Sequence, residues 1–563
     1  MRFRPKLVDT LSSYSRAQFT RDLLAGLIVG IVALPLAIAF GIASGVSPEK
    51  GLFTAVIGGF IISALGGSRV QIGGPTGAFI VIVYGIVQQY GLTGLIVATF
   101  IAGIMLILMG IAGLGTVIQF IPHPLIVGFT SGIALVIFSA QVKDFLGLNM
   151  ATMPADFLDK WLSFGGHFHT LNPYALTIAL VTVLITLLWP RITHKVPGSL
   201  VAILLSTAAV QLFHLPVETI GSRFGRISSS FPSPSIPHLD LATIRHMIQP
   251  AFTIALLGGI ESLLSAVVAD GMMGGSHRSN TELIAQGVAN ICSSVFGCIP
   301  ATGAIARTAT NIRNGGRTPV AGITHAFVLL LIMLFVGRWA ALIPMANLAG
   351  ILVVVAYNMS EWENFVAILK GPWNDRVVLL VTFLLTVLVD LTVAIEIGIV
   401  LAAFLFIRQI ARASGVSTWS ISSEESTRTE EERRPGQEYT STLAEALPLP
   451  KHAEVFEITG PLFFGAAYKF KDALKQVEKA PKVLIIRMRH VPVIDATGIR
   501  ALKEVHKDFS HRGTKLILSE VTNPDVLAAL KDARLLFAIG KANVTTTFDA
   551  AVKRCDEILT RLF

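Results

Sequence analysis

The sequence has 563 residues, of which 53% are hydrophobic and only 14% are charged, and its formal net charge is +9. Of the 81 charged residues, 39 fall in the first 412 positions and 32 fall in the last 113. So few charges cannot cover the surface of a soluble 412-residue domain, which excludes a soluble enzyme, a nucleic-acid-binding protein and a disordered scaffold. The composition predicts a membrane domain followed by a soluble domain.

Basic residues mark the two ends of the membrane region. Five of them lie within residues 1–21, which we interpret as a cytoplasmic N-terminal segment, and Arg408 and Arg412 follow the last apolar run. Cytoplasmic segments carry an excess of Lys and Arg, so both termini are expected in the cytoplasm and the number of spans is expected to be even. The apolar run after Arg21 is longer than a signal-peptide core and has no cleavage site. It is therefore predicted to be the first span of a multi-pass protein of the inner (cytoplasmic) membrane.

Residues 22–412 contain fourteen apolar segments that are long enough, or nearly long enough, to cross a bilayer. They lie at about 23–43, 51–67, 76–90, 92–114, 120–140, 174–190, 198–214, 250–270, 283–298, 304–313, 321–337, 341–357, 376–393 and 394–410. Two short helices are predicted to begin near Thr76 and Thr302, each after a Gly/Pro-rich stretch. Broken helices of this kind mark the binding site in many secondary transporters.

The spacing of these features indicates an internal repeat. The tripeptide Thr-Gly-Ala occurs at 76–78 and again at 302–304, an offset of 226 residues, and the same offset relates Pro35 in the first segment to Glu261 in the eighth. Two repeats of seven segments, at about 22–214 and 248–412, fit this spacing. Because seven is odd, the two repeats are expected to be inverted relative to one another in the membrane.

Glu261 lies in the middle of the eighth apolar segment. A charge at that depth is costly unless it is neutralised, paired or in contact with water, so we predict that this carboxyl group carries a coupling proton. Ser265 follows one turn later, and the two side chains are alternatively a sodium site. A structural hydrogen bond between helices is the remaining interpretation.

The starts of the two short helices are predicted to bind an anion. The first N–H groups of a helix have no intrahelical partner and carry partial positive charge, and glycine lets a ligand approach the backbone. One turn after Gly303, Arg307 adds a guanidinium group suited to carboxylate or sulfate. The alternatives are that the small residues only permit close helix packing and that Arg307 pairs with an acidic side chain. The candidate substrate-binding residues are Thr76, Gly77, Ala78, Phe79, Gly303, Ala304, Ile305 and Arg307.

The last part of the chain differs from the rest in composition. Residues 413–450 are rich in Ser, Thr and Glu and contain three prolines, and we interpret them as a linker. Residues 451–563 alternate strand-like and helix-like patterns, which predicts a small α/β domain. The three cysteines, Cys292, Cys298 and Cys555, form neither a CxxC motif nor a His/Cys cluster, so no metal site or other cofactor is predicted.

The chain resembles the SulP anion transporter family (solute carrier family twenty-six) over almost its whole length. The similarity is carried by Asp22 with the run 25–30, by Pro35, by residues 66–69 leading into 74–76, and by residues 493–499, which look like the helix-entry loop of a STAS domain. The resemblance implies a polytopic α-helical membrane protein with 14 transmembrane segments in two inverted seven-segment repeats, followed by a cytosolic STAS domain. It also implies a core domain that moves against a gate domain, an anion site between the third and tenth segments, and a homodimer.

Within this family the sequence is most similar to bacterial proton-coupled C4-dicarboxylate transporters, through residues 33–37, 260–264, 270–272, 304–307 and 460–464. The family's sodium-coupled bicarbonate transporters have aspartate at the position of Glu261 and no arginine at that of Arg307. Many relatives have glutamine after the proline of the first segment. This chain has Leu36 there, so Pro35 and Leu36 are expected to contact a different substrate.

The resemblance implies proton-coupled uptake of a C4-dicarboxylate such as succinate, fumarate or aspartate by alternating access, and no enzymatic activity. The alternatives are sodium-coupled transport of bicarbonate, proton-coupled transport of sulfate, and an anion channel with a regulatory STAS domain. In the STAS loop the candidate residues are Asp495 and Thr497, since Ala496 stands where antagonists of anti-sigma factors have a phosphorylatable serine. Contact with a cytosolic protein, or support of a dimer, is the expected role of this domain, and no nucleic-acid partner is expected.

Overall fold

The computed structural model describes residues 3–12, 14–116, 121–150, 153–154, 156–193, 196–225, 231–235, 240–389, 391–413, 415–419, 450, 452–475 and 481–562. The chain forms two compact units, Met1–Ala402 and Ala403–Phe563. The first unit consists of apolar helices, and the second consists mainly of an α/β sheet domain.

The first unit divides into two halves, each with one very short strand. The first half contains α1 (Lys6–Leu11), α2 (Arg16–Ala43), α3 (Pro48–Leu65), β1 (Gly73–Gly74), α4 (Gly77–Ile111), α5 (His123–Leu146), α6 (Phe157–His167), α7 (Pro173–Leu188), α8 (Gly198–Phe213) and α9 (Ile220–Phe224). The second half contains α10 (Leu241–Met273), α11 (Ser279–Val295), β2 (Thr302–Gly303), α12 (Ile305–Arg313), α13 (Pro319–Val336), α14 (Met345–Met359), α15 (Trp362–Leu369), α16 (Trp373–Leu388) and α17 (Leu391–Ala413), the last of which runs into the second unit.

Eight of these helices are long and apolar enough to cross a membrane. One of them, α4, is two consecutive segments, because Gly91 interrupts it with φ 67°, a conformation that favours glycine. With the shorter helices α8, α11, α12, α14 and α16, the described residues contain fourteen helical segments in the predicted order. The prediction of fourteen segments is confirmed.

Helices from the two halves pack together in two groups. In the first, which we call the core group, α4 packs against α10 and α11, α12 against α10, and α13 against α2 and α3. In the second, the gate group, α5 packs against α14 and α16, and α7 packs against α8 and α14. Small residues permit this packing in the absence of a hydrophobic driving force between helices. A Cβ atom added at Gly103 of α4, for example, would lie 2.7 Å from the carbonyl oxygen of Gly287 in α11.

Asp22 connects the start of α2 to the start of α13. Its buried carboxylate accepts hydrogen bonds from the backbone N–H of Arg317 (2.8 Å), the hydroxyl of Thr318 (2.6 Å) and the hydroxyl of Tyr14 (2.9 Å). Thr318 is the N-cap of α13, and negative charge is favourable at a helix N-terminus. This family motif residue therefore joins the two halves of the first unit.

The two short strands make a second connection between the halves. β1 and β2 are antiparallel, with Gly73 opposite Gly303 and Gly74 opposite Thr302. Each strand directly precedes one of the two short helical segments that the sequence predicts. The pairing therefore brings the starts of these two segments together.

The starts of the two segments differ from the predicted register. Thr76 is the N-cap of α4, whereas the N-cap of α12 is Ala304, two residues after Thr302. The Thr-Gly-Ala tripeptides are therefore not structurally equivalent, and the offset of 226 residues is wrong by about two. The pairing of β1 with β2 places Thr302 in a strand, and the helix begins only after that strand ends.

The second unit is a five-stranded sheet covered by helices. Its strands are, in spatial order, β3 (Gly415–Trp419), β4 (Ala453–Thr459), β5 (Val483–His490), β6 (Lys515–Ser519) and β7 (Val544–Thr545). Its helices are α18 (Phe464–Lys475), α19 (Ala496–His511), α20 (Pro524–Asp532), α21 (Leu535–Ile539) and α22 (Phe548–Leu562). β3 is antiparallel to β4, and the other neighbouring strands are parallel. The predicted α/β domain is thus present.

Both faces of this sheet are buried, as parallel strands require. In β5, Leu484 and Ile486 face the cluster that includes α18 and α19, whereas Val483 and Ile485 face a second cluster with α22. Strand β3 lies inside the range 413–450 that we interpreted as a linker, because its backbone pairs with the edge of β4. The sheet thus begins before residue 451, and residues 420–449 lie outside the described residues.

Candidate functional site

The starts of α4 and α12 lie beside each other because β1 pairs with β2. Thr76 and Ala304, the two N-caps, have extended backbone conformations, and neither side chain caps the helix that follows. Consequently the first N–H groups of both helices have no side-chain acceptor of this kind, and partial positive charge accumulates at both starts. The site that the sequence predicts is thus formed by backbone from both halves.

Helix α10 contributes Glu261 to this place. The hydroxyl of Thr76 donates a hydrogen bond to the Glu261 carboxyl (2.7 Å), and the hydroxyl of Thr302 donates to the carbonyl oxygen of Gly258 (2.8 Å). Glu261 is partly exposed, whereas Thr76 and Thr302 are buried. The predicted coupling residue therefore lies in direct contact with the start of α4.

Arg307 lies one turn into α12 and is 3% exposed. Its Nη2 donates to the carbonyl oxygen of Pro75, and its Nη1 has no hydrogen-bond partner. Among the described residues it forms no ion pair, although it interacts electrostatically with Glu261 at longer range. A Cβ atom added at Gly74 would lie 2.6 Å from Nη1, so the absence of a side chain at that position makes room for the guanidinium group. The alternative in which Arg307 is neutralised by an acidic partner is not what the described residues show.

Other predicted site residues surround this place at different depths. Phe79 is buried, and its ring lies 3.3 Å from where a Cβ atom of Gly258 would be. Pro35 is buried within α2, and Leu36 packs against the same apolar cluster that contains Phe79. Ile305 is 41% exposed, so it points away from the buried contact between the halves.

The structure does not bring Ser265 to the Glu261 carboxyl. The Ser265 hydroxyl is buried and donates instead to the hydroxyl of Thr308 (3.2 Å), which in turn accepts from the N–H of Ile72 (3.0 Å). Ser265 thus helps to hold β1 against α12. In the part of the chain that the structure describes, no group of three or more His, Cys, Asp or Glu side chains could hold a metal ion.

Sequence analysis did not identify Glu282, a second buried acidic residue at this site. One carboxyl oxygen accepts from the backbone N–H groups of Gly67 (2.8 Å) and Ser68 (3.2 Å), and the other accepts from the side chains of Ser262 (3.0 Å) and Gln286 (2.8 Å). The predicted apolar segment begins at 283, which leaves Glu282 just outside it. The rule that singled out Glu261, an acidic residue in a membrane helix, would also have found Glu282 once α11 was extended by one turn.

The Glu282 contacts continue to the strand that bears the site. Gln71 donates from Nε2 to the hydroxyl of Ser262 (2.7 Å) and to its carbonyl oxygen (3.2 Å). Gln71 lies against Gly303, where an added Cβ atom would overlap its amide. Glu282 therefore fixes Ser262, the residue after Glu261, and through Gln71 it supports β2.

Replacing Glu282 with glutamine is expected to destabilise the protein. An amide nitrogen would replace one carboxyl oxygen and face donors that then have no acceptor, at a cost of roughly 2–3 kcal/mol in the free energy of unfolding. The measurement is the melting temperature of the detergent-solubilised full chain, read from the monodisperse peak that remains after heating. Glu363→Gln, an exposed change in α15, is the matched control. Equal melting temperatures for both variants would contradict a structural role for Glu282.

In the second unit, Asp495 is the N-cap of α19 and accepts a hydrogen bond from the N–H of Gly498 (2.7 Å). Thr497 lines a small cavity of about 190 Å³ together with Lys471, Arg500 and Glu504. The cations of Lys471 and Arg500 hold the pKa of the Glu504 carboxyl below its usual value. The Asp495 carboxylate therefore stabilises the helix start, and Thr497 lies beside a charged surface cluster.

Comparison with known proteins agrees with this architecture. The model of the Sulfate permease family matches residues 19–382, and that of the STAS domain matches residues 447–551. The putative sulfate transporter YvdB of Bacillus subtilis is 42% identical over 531 residues, which covers 94% of this chain and 96% of that protein. The bicarbonate transporter BicA of a Picosynechococcus strain is 32% identical over 459 residues, or 79% of each chain.

Solved structures show the same fold. The inward-facing structure of the murine anion transporter Slc26a9 superimposes with a TM-score of 0.86, covering 98% of this chain and 94% of that one at 19% sequence identity. The transmembrane domain of a cyanobacterial BicA superimposes with a TM-score of 0.61 at 31% identity, covering 69% of this chain and 98% of that one. The names of these relatives refer to sulfate, bicarbonate or anions in general. The predicted similarity to C4-dicarboxylate transporters stays a prediction.

Proposed function

Because this chain belongs to the sulfate permease (SulP) family, we propose that it takes up a C4-dicarboxylate together with a proton. Membership of the family makes the chain an anion transporter with a C-terminal STAS domain, and not an enzyme. The proposal concerns the substrate, the coupling ion and the residues that bind them. It also places the protein in the inner membrane, as a homodimer whose STAS domain contacts a cytosolic protein.

The observation that carries the proposal is the buried guanidinium of Arg307, which has a free Nη1 and no ion pair in the described part of the chain. With Glu261 ionised, the charges of Glu261 and Arg307 cancel. With Glu261 protonated, the site has a net charge of +1, to which the two helix N-termini add partial positive charge. An anion therefore binds more tightly to the protonated site. By thermodynamic reciprocity, a bound anion also favours protonation of Glu261.

This coupling gives symport when the site is exposed alternately to each side of the membrane. The anion and proton load together where the proton concentration is high. They leave together where it is low, because loss of the proton weakens anion binding. The loaded site lies at α4, α10 and α12, all in the core group, and the gate group supplies a surface against which the core group moves. Transport by such a carrier requires no open pore.

The choice of a dicarboxylate rests on the chemistry of Arg307. A guanidinium group offers two parallel N–H donors to a carboxylate or to sulfate, which suits these anions over a small monoanion. Since Ser265 donates to Thr308 instead of meeting Glu261, the contacts favour a proton over sodium as the coupling ion. Sulfate is the second candidate, because it is the substrate in the name of the relative that is 42% identical.

The test is uptake of labelled succinate into proteoliposomes, with and without an inward proton gradient. We expect gradient-driven accumulation that excess unlabelled fumarate abolishes and excess bicarbonate does not. Sulfate uptake driven by the same gradient, without succinate uptake, would reassign the substrate and keep the coupling. Sodium-stimulated entry of bicarbonate would overturn both. Anion currents across planar bilayers that exceed carrier rates would indicate a channel.

A further inference from the structure

A cavity of about 700 Å³ lies between the core and gate groups, separate from Glu261 and Arg307. On the core side it is lined by the end of α2 and by Ile80, Tyr84 and Gln88 of α4. On the gate side it is lined by α5, α6 and the turn between α16 and α17. Ile80 follows Phe79 directly in the first turns of α4, so the inner end of the cavity reaches the start of that helix. The cavity thus leads toward the proposed site.

The cavity opens on the side opposite the cytosol. Its lining includes Leu391, at the start of α17, whose other end at Ala413 leads to the cytosolic STAS domain. It also includes Ile42, near the end of α2, whose other end follows the basic N-terminal segment. Both helices cross the membrane, so the cavity faces the external side.

Most charges around the cavity are paired. The guanidinium of Arg223 binds Asp144 through two hydrogen bonds (3.0 and 2.6 Å) and also binds Glu218. The ammonium of Lys143 donates to the carbonyl oxygen of Met150 (2.8 Å). These contacts give the wall of the cavity a fixed arrangement of charge.

Lys160 of α6 is the exception. It lines the cavity and is only 3% exposed, yet its Nζ has neither a hydrogen bond nor an ion pair with the described residues. Asp156 lies one turn earlier and is also part of the lining, but it is beyond ion-pair distance. Burial lowers the pKa of Lys160, and the charge of Asp156 partly opposes this. A buried ammonium without a partner is costly, and an anion in the cavity would remove that cost.

We propose that this cavity is an external vestibule in which Lys160 binds a small oxyanion before the anion reaches the starts of α4 and α12. The ligand class is a carboxylate, bicarbonate or sulfate. The inference goes beyond the proposed function, because it assigns a second, peripheral anion site and does not depend on which oxyanion is transported.

The first test uses thiol modification from the external side and needs no knowledge of the substrate. Gln88 is exposed in the cavity, so Gln88→Cys reports on its contents. Cys292→Ala removes the one native thiol that is partly exposed; Cys298 and Cys555 are buried, and burial raises the pKa of the Cys555 thiol to about 12, which makes it unreactive. In this background, Lys160→Gln is expected to slow modification by an anionic, membrane-impermeant methanethiosulfonate roughly three- to tenfold and to speed modification by its cationic analogue.

Control variants separate this effect from misfolding. Lys160→Arg should keep the original rates, and Asp156→Asn should change both in the opposite direction to Lys160→Gln. Lys370→Gln removes an exposed charge after α15, outside the cavity lining, and should change neither. If Lys160→Gln does not fold, the opposite shift in Asp156→Asn still tests the proposal. Equal rates for the anionic reagent in Lys160, Lys160→Gln and Asp156→Asn proteins would overturn it.

The second test uses transport. Lys160→Gln should raise the KM for external anion several-fold and leave the maximal rate unchanged, because the residue acts before the central site. An unchanged KM, with altered reagent rates, would limit Lys160 to steering ions and overturn its role as a binding residue. If succinate is not the substrate, this assay is run with sulfate, and the reagent result stands independently of that outcome.

Discussion

Glu261→Gln is expected to retain anion exchange and to lose proton-driven accumulation. A glutamine amide is neutral, as the protonated carboxyl group is, and its oxygen can still accept the hydrogen bond of Thr76. The site then keeps the net charge of +1 that binds the anion, but it has no proton to release. We expect exchange of labelled for unlabelled succinate within about threefold of the parent protein, and gradient-driven accumulation reduced at least about tenfold, since the coupling between sites is typically worth a factor of 5–150.

The pH dependence of this variant distinguishes coupling from simple damage. Exchange by the parent protein should slow as the pH rises on both sides of the membrane, because fewer sites are protonated, whereas exchange by Glu261→Gln should be independent of pH. Glu363→Gln, a change of the same chemistry in exposed α15, should behave as the parent protein does. Persistent proton-driven accumulation in Glu261→Gln would show that another group carries the proton.

Arg307→Gln is expected to abolish binding and transport. The substitution removes the charge that Glu261 balances and the two N–H donors of the guanidinium fork. Hydrogen bonds between charged groups contribute about 1.5–3 kcal/mol each, so the loss of two corresponds to a decrease in anion affinity of at least about a hundredfold. Equilibrium binding of labelled succinate to the solubilised protein, together with exchange in proteoliposomes, measures both effects.

Two further variants define what Arg307 contributes. Arg307→Lys keeps the charge without the planar fork, so it should bind with an affinity between those of the parent protein and Arg307→Gln. Arg313→Gln removes an exposed arginine from the same helix, α12, and should bind normally. Normal affinity in a well-folded Arg307→Gln protein would mean that the anion site lies elsewhere.

How far the sequence predicts this protein depends on the range of the interactions concerned. The fourteen segments follow from hydropathy, because a membrane helix satisfies its own backbone and needs only apolar side chains. Glu261 and Arg307 stand out for the related reason that charge is rare at that depth. The positions of the short helices were also predictable, since Gly and Pro interrupt helices locally.

The details that were missed depend on contacts between residues far apart in the chain. The two-residue error in the repeat arises because β1 pairs with β2, more than 200 residues later, and no local pattern sets that register. Ser265 follows Glu261 by one helical turn, but its direction is decided by Thr308 of another helix. Strand β3 was assigned to the linker because a five-residue edge strand becomes recognisable only beside its partner β4.

The pairing of Gly73 with Gly303 has a consequence for how the protein is made. When the ribosome has delivered the first half to the membrane, β1 and the start of α4 lie in the bilayer with backbone groups that have no partner. Such groups are unstable in hydrocarbon, and they remain so until α10, α11 and β2 have also been inserted. The first seven segments must therefore wait in an incomplete state, protected by insertion machinery or by lipid-exposed water. An anion-binding site first exists only late in synthesis, which ensures that no half-made chain can carry ions across the membrane.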